Sequence, residues 1–536
     1  MMSTWSRSAP WAITSRQSAP RSAKSAARMD GATRGVSGGM VIRGCRGSGM
    51  PDPKPGLPYH AAMTEEPMAD LSRLDLLRTM GQGHLLDHAE TLTGSRKDRF
   101  LAELAALDLE ELGTLVDRYV RSYTPEMPPG SLSPAPVIGL EDPSREPARH
   151  TGEALIRAGK VACFTVAGGQ GSRLGYDGPK GCFPTGCVTG KSLFQIFAEG
   201  ILGAQRRHEV VIPWYIMTSP LNHEATVAFF AANEHFGLDP TAVRFFPQGV
   251  MPSFDRQTGR ILLAGPGELA TNPDGHGGAF KALRVSGALE DMKQRGVEHL
   301  SYFQVDNPHA KPVDAVFLGL HASSPESSGE FSSKMVPKTS WDEKVGVFCQ
   351  ADGRTRVIEY SDLPEELAKQ TDEHGRLRFI AGSIAIHAIG VSFIGKVTGD
   401  AAFALPFHRA IKKVPFFDPD SGRLVDPQEP NGVKLEKFIF DCIPMAEKSI
   451  VVEADRVEEF APVKNATGND SIESSKRLQT ERAARWLEKA GASVPRRADG
   501  TVDATIEISP LTAQNAEQLA EADHPASISP GAEVVI

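Results

Sequence analysis

Between Gly168 and Gly181 the chain sets two cations, Arg173 and Lys180, among six glycines: Gly168, Gly169, Gly171, Gly175, Gly178 and Gly181. Backbone amides freed of neighbouring Cβ atoms can close on an anion, and fixed cations add charge to that cradle. The chemistry such a stretch serves is the binding or transfer of phosphate groups. Two familiar phosphate motifs do not fit. A dinucleotide fingerprint requires G-x-G-x-x-G, whereas the spacing here is Gly169-x-Gly171-x-x-x-Gly175. A P-loop requires G-x-x-x-x-G-K-[ST]; Gly190, Lys191 and Ser192 supply its end, but Thr185 stands where its first glycine belongs. Farther on, Asp306 and Asn307 follow an apolar run over residues 299–305. A carboxylate at the carboxyl end of a strand is placed to hold Mg²⁺ bridging phosphates; the alternative is a cap on the following turn.

Residues 161–167, seven mostly apolar positions ahead of the glycines, read as a buried parallel strand. Behind the glycines, Leu193, Ile196, Phe197 and Ile201 recur at helical spacing, so a helix is expected over 192–206 with Ser192 as its N-cap. Further strands are expected over 211–217, 243–246 and 299–305, and helices over 221–236 and 279–292. That alternation predicts an α/β protein with a mainly parallel sheet covered on both faces, ligands binding at the carboxyl ends of the strands. Shorter segments at 345–348, 356–360 and 379–388 add a mixed, partly antiparallel part.

Leucines at three- and four-residue spacing over 70–123 predict amphipathic helices. The final hundred residues, with Val451, Val452, Phe460 and a helix over 471–490, read as a small α+β domain. The expected divisions are therefore 1–62, 63–150, 151–430 and 431–536. Residues 1–62 are Arg-, Ser- and Gly-rich without a periodic apolar face, the composition of disorder, of an over-long start or of a targeting segment. With 40% apolar and 23% charged residues, the rest is ordinary for a globular protein. A net charge of -9 argues against nucleic acid as a partner, and no run of 18 apolar residues suggests a membrane span. The six scattered cysteines suit free thiols in the cytoplasm.

The segment Ala167-Gly-Gly-Gln-Gly-Ser-Arg-Leu-Gly175 with Pro179-Lys180-Gly181 resembles the signature of the eukaryotic-type UTP:sugar-1-phosphate uridylyltransferases, nearest their N-acetylglucosamine branch. Other motifs follow in family order: Gly81 to Leu86, Gln248 to Pro252, Asn272 to Gly278, Val305 to Asn307, Lys338-Thr339, Val357 to Ser361, Phe379 to His387, Phe460 to Asn465, and Ile508 to Leu511. The resemblance implies a mixed, mainly parallel, Rossmann-like nucleotidyltransferase sheet with a helical N-terminal region and a small α+β C-terminal domain. It implies UTP and a sugar 1-phosphate as substrates and Mg²⁺ as cofactor, and assigns no oligomeric state.

In such a reaction a sugar phosphate oxygen attacks the α-phosphorus of UTP and pyrophosphate leaves, so cations and positioned amides carry the catalysis. The resemblance places Arg173, Lys180 and Lys464 at the phosphates. It places Gly168, Gly169, Gly171, Gln248, Gly275, His276 and Asp306 at the nucleotide, Asp306 also holding the metal. Glu359, Gly382, Ser383 and Lys338 then fall at the sugar. His276 and Ser383 stand where N-acetylglucosamine enzymes carry Asn. N-acetylglucosamine 1-phosphate is the expected substrate, with glucose 1-phosphate as the alternative and a non-catalytic UDP-sugar sensor as the reading of another class.

Overall fold

Alternation along the strands divides the interior into two apolar layers. Ala162 and Phe164, Tyr215 and Met217, Leu300 and Tyr302 belong to one. Val161 and Cys163, Trp214 and Ile216, and Phe303 belong to the other. Period-two patterning with both sets buried requires a sheet covered on both faces, as the sequence predicts. The computed structural model describes residues 74–123, 131–400 and 403–536; the readings made for 1–62 lie outside the described residues.

Eight strands form the spine: β1 (Val137–Ile138), β2 (Val161–Val166), β3 (Trp214–Thr218), β4 (Val243–Pro247), β5 (His299–Gln304), β6 (Phe331–Pro337), β7 (Ala381–Gly390) and β8 (Val451–Glu453). Their order is β1-β8-β6-β7-β5-β2-β3-β4. Every neighbouring pair is parallel except the two made by β7. A hairpin of Val347–Ala351 and Arg354–Ile358 joins the sheet beside β7. In β7 a bulge interrupts the pairing with β6, and Ala385 within it takes a left-handed φ of 54°.

The helices that cover the sheet are α1 (Arg145–Arg157), α2 (Leu193–His208), α3 (His223–Ala232), α4 (Ala279–Val285), α5 (Ala288–Gln294), α6 (Ala315–Ser323), α7 (Val391–Gly399) and α8 (Ile472–Lys489). Ser192 caps α2 as expected, its side chain accepting from Gln195 N at 3.1 Å. The single helix expected over 279–292 is two, because Gly287 turns the chain at a φ of 73°. The helix expected over 221–236 ends at Ala232, with His235 and Phe236 in left-handed turns. Helices α1 and α6 cross at Gly152 and Gly319, where an added Cβ would lie 1.8 Å from the carbonyl oxygens of Ala315 and Ala148 respectively.

Val451 and Val452, expected in the C-terminal domain, lie instead in β8 between β1 and β6. Their apolar character marked a buried strand but carried no information about its distant partners. N-terminal helices bury Leu77, Leu85, Phe100 and Leu104 against Phe254, Val433 and Leu435. Gln82 docks them, donating to Gly259 O and accepting from Ile261 N, both at 2.8 Å. At the other end α8 packs Ala484 and Leu487 on Ile506 and Leu519, beside a parallel pair of Ala504–Glu507 and Ala532–Val535. No helix among the described residues is long and apolar enough to cross a membrane.

Candidate active site

Parallel strands deliver their carboxyl ends to one edge, and the antiparallel β7 brings its amino end there. The expected residues sit on this edge: the glycine loop after β2, Gln248 after β4, Asp306 after β5, Lys338 after β6, and Gly382 and Ser383 at the start of β7.

The glycine loop is a small hairpin. Lys180 N donates to Gly169 O at 3.0 Å, Gly171 N to Gly178 O at 2.9 Å, and Gln170 pairs with Pro179. Lys180 thereby stands at its base and Arg173 near its tip, in a 3-10 turn. The Lys180 ammonium lies 3.6 Å from Asp306 Oδ2, both side chains mostly buried. Arg173 is exposed and forms no ion pair among the described residues; it is not drawn into the Lys180–Asp306 contact.

Gly168 is a close approach rather than a hinge: a Cβ there would lie 2.4 Å from Gln248 Oε1. Gln248 reaches on to Asp274 Oδ1 at 3.4 Å, and burial pushes the Asp274 carboxyl above the usual carboxylate range. Asn222 escaped the sequence reading. Its side chain donates to Ala167 O (2.9 Å) and Gly169 O (3.2 Å) and accepts from Ser219 N (2.8 Å), bracing the loop against the end of β3. The one available signal was an Asn just ahead of a helix, which predicts a cap rather than a cross-brace.

The glycine-containing turn over residues 272–278 is clasped by residues 437–439. Lys437 N donates to Asp274 O (2.8 Å), and Gly277 N to Lys437 O (2.7 Å). Ile439 N donates to His276 Nδ1 at 3.1 Å. That bond makes Nδ1 an acceptor, so the neutral ring carries its proton on Nε2. Burial, with His408 nearby, lowers the His276 pKa to about 4. Phe438 lies between the stacked rings of His276 (5.1 Å) and His408 (4.1 Å), and His408 Nε2 is 2.8 Å from Asp441 Oδ2.

Among the residues expected at the sugar, burial raises the Glu359 carboxyl; the charges of His408 and Lys464 oppose that shift. Lys464 is thus within electrostatic reach of Glu359, and likewise of Asp470, which also feels Asp306. Segments far apart in sequence converge here. Ser383 donates its amide to Gly346 O at 2.8 Å, leaving its side chain partly accessible. The Lys338 ammonium turns aside to Trp341 O at 3.0 Å, lining a small cavity of about 250 Å³ with Trp341, Tyr360 and Leu363. Its pKa is lowered by burial.

A mainly parallel sheet with a lysine-bearing glycine hairpin at its carboxyl edge is the framework of a nucleotide-handling α/β enzyme. Comparison with known proteins narrows this. Residues 137–490 match the family model described as UTP–glucose-1-phosphate uridylyltransferase. UDP-N-acetylglucosamine diphosphorylase 2 of Arabidopsis thaliana is 35% identical over 474 residues, 83% of this chain and 90% of that protein. UDP-N-acetylglucosamine pyrophosphorylase of Saccharomyces cerevisiae is 38% identical over 378 residues, 69% of this chain and 77% of that protein. Among solved structures, the UDP-N-acetylglucosamine pyrophosphorylase of Trypanosoma brucei superposes with a TM-score of 0.71 at 27% identity, covering 85% of this chain and 95% of that one. The chain belongs to the UTP–glucose-1-phosphate uridylyltransferase family and is a uridylyltransferase.

Proposed function

We propose that this enzyme transfers UMP from UTP to N-acetylglucosamine 1-phosphate, forming UDP-N-acetylglucosamine and pyrophosphate. The observation that carries the sugar assignment is identity of 35–38% over most of the chain to proteins named for that product. A phosphate oxygen of the sugar 1-phosphate attacks the α-phosphorus of UTP, the bond to the bridging oxygen of the β-phosphate breaks, and pyrophosphate leaves. Both reactants are anions, so the barrier is lowered by charge and alignment. Lys180, fixed at the base of the hairpin, faces the α-phosphate. Lys464 adds its charge from the C-terminal segment, and the accessible Arg173 receives the leaving pyrophosphate. Gln248 offers the donor and acceptor that match the uracil edge, and Gly275 backs the nucleoside.

Mg²⁺ fits the donors present. No group of three His, Cys, Asp or Glu side chains able to cage a metal exists among the described residues. One carboxylate plus substrate phosphate oxygens is a common way to hold this ion, which neutralises phosphate charge when bound. Asp306 would supply that carboxylate. Cytoplasmic residence suits the five described cysteines, all unpaired.

A second reading, glucose 1-phosphate as acceptor, is favoured by His276 and Ser383, since the Nε2–H of a neutral His276 only donates where an Asn would donate and accept. Product analysis with UTP and each sugar phosphate decides between them. Faster formation of UDP-N-acetylglucosamine is expected; faster UDP-glucose formation reverses the assignment, and no UDP-sugar from either overturns the function.

A further inference from the structure

Seven non-glycine residues among those described have positive φ. Six sit at a helix end, in turns or in the bulge of β7. The seventh, Asp470 (φ 56°), touches the backbone of a candidate phosphate-binding lysine. Lys464 N and Asn465 N both donate to its carbonyl oxygen, at 2.6 and 3.0 Å, and Asn465 pairs with the adjacent Ser471. Just upstream, Val463 N donates to Asp306 O at 2.8 Å. The loop 464–470 therefore starts against the backbone of Asp306, the residue that carries the candidate metal carboxylate, and is tied shut on Asp470.

Asp470 is itself fixed from behind. Ser471 is the N-cap of α8 in a reciprocal capping box with Ser474, and Ser475 Oγ donates to Ala461 O at 2.7 Å. A left-handed backbone strains any residue other than glycine, Asn and Asp least. Strain of this kind, held in place by its surroundings beside a reactive group, points to function. With an ordinary negative φ the Asp470 carbonyl would turn from both amides and release the loop.

We propose that Asp470 is a positioning residue, whose left-handed backbone, clamped at the start of α8, aims Lys464 at the phosphates. The inference rests on the role given to Lys464 above. Its essential property is conformation rather than charge, so residues that accept positive φ replace it and those that resist do not.

The test uses the full chain with UTP and whichever sugar 1-phosphate supports turnover. Asp470→Val should lower kcat at least tenfold while the UTP dissociation constant, read by calorimetry, stays within twofold of wild type. Asp470→Gly and Asp470→Asn should keep kcat within about threefold. Near-wild-type turnover by Asp470→Val overturns the proposal, as does a fall in Asp470→Gly or Asp470→Asn as deep as that of Asp470→Val. If the valine variant does not fold, Asp470→Ala takes its place, read against the same glycine and asparagine variants. Lys464→Ala is measured first: undiminished turnover there strikes the role of Lys464 itself, before any Asp470 variant is read.

Discussion

Lys464 enters from a segment some three hundred residues beyond the glycine loop, yet its charge is felt by Glu359 and Asp470 at the same sheet edge as Lys180 and Asp306. A lysine so placed adds little to ground-state nucleotide binding if the hairpin already holds UTP, and much to the transition state, where phosphate charges are forced together. Lys464→Ala is therefore expected to lower kcat about a hundredfold, with the UTP dissociation constant changed by less than threefold; steady-state kinetics and calorimetry check the two halves separately. Asp306 was legible in the sequence because it comes just after an apolar strand, and Lys180 because it closes a glycine-dense loop that follows one; strand ends are where such folds bind ligands. Asn222 and Asp470 were not. Asn222 braces backbone more than fifty residues away and Asp470 turns a loop back on amides five and six residues before it, and neither residue type nor local spacing distinguishes them from an ordinary cap or turn. Lys338 was named from resemblance alone; its ammonium is engaged by Trp341 O at the edge of a side cavity.

The crossing of α1 and α6 sets how closely two covering helices approach each other, and it depends on two glycines. With Gly152 and Gly319 in place the backbones touch; an added Cβ at either would sit 1.8 Å from a carbonyl oxygen, so the helices themselves would have to separate. Such overpacking against backbone, with no flexible side chain to yield, costs about 3 kcal/mol. Gly152→Ala and Gly319→Ala should each lower the midpoint of denaturant unfolding accordingly, while an exposed helical substitution such as Glu146→Ala should change it little. Elements with strong local patterns were readable: β2, β5 and α2 fall within a few residues of their expected bounds because burial on both faces or on one helical stripe writes itself into the period. Junctions were less so. Gly287 sits in a run whose apolar residues continue at helical spacing, and only its positive φ reveals the break. The partners of β8 were unreadable for a different reason, since strand order is set by long-range packing rather than by any local signal.

Across the whole molecule, burial of neutral histidines ties stability to pH. His321 and His387 lie inside, each bonded through Nδ1 to a serine hydroxyl, Ser332 and Ser333; burial lowers the pKa of each to about 3. His309, bonded to Val457 O, is also lowered by burial. In the unfolded chain these rings take up protons as pH falls through about 6.5, whereas the folded chain keeps His321 and His387 neutral until near pH 3. Unfolding then binds protons, so stability is full above pH 6.5 and is lost progressively below it. Asp274 and Glu359, raised by burial, act in the opposite sense as they protonate above their usual range, softening but not reversing the trend. Each buried histidine contributes about 1.4 kcal/mol per pH unit within that window. Denaturant unfolding at pH 6.0, 5.5 and 5.0 should show a falling stability whose slope shrinks by about that amount in His387→Gln and again in the double variant with His321→Gln. An unchanged slope would mean that these rings are already charged in the folded protein, and that the two apolar layers admit charge which their packing argues they exclude.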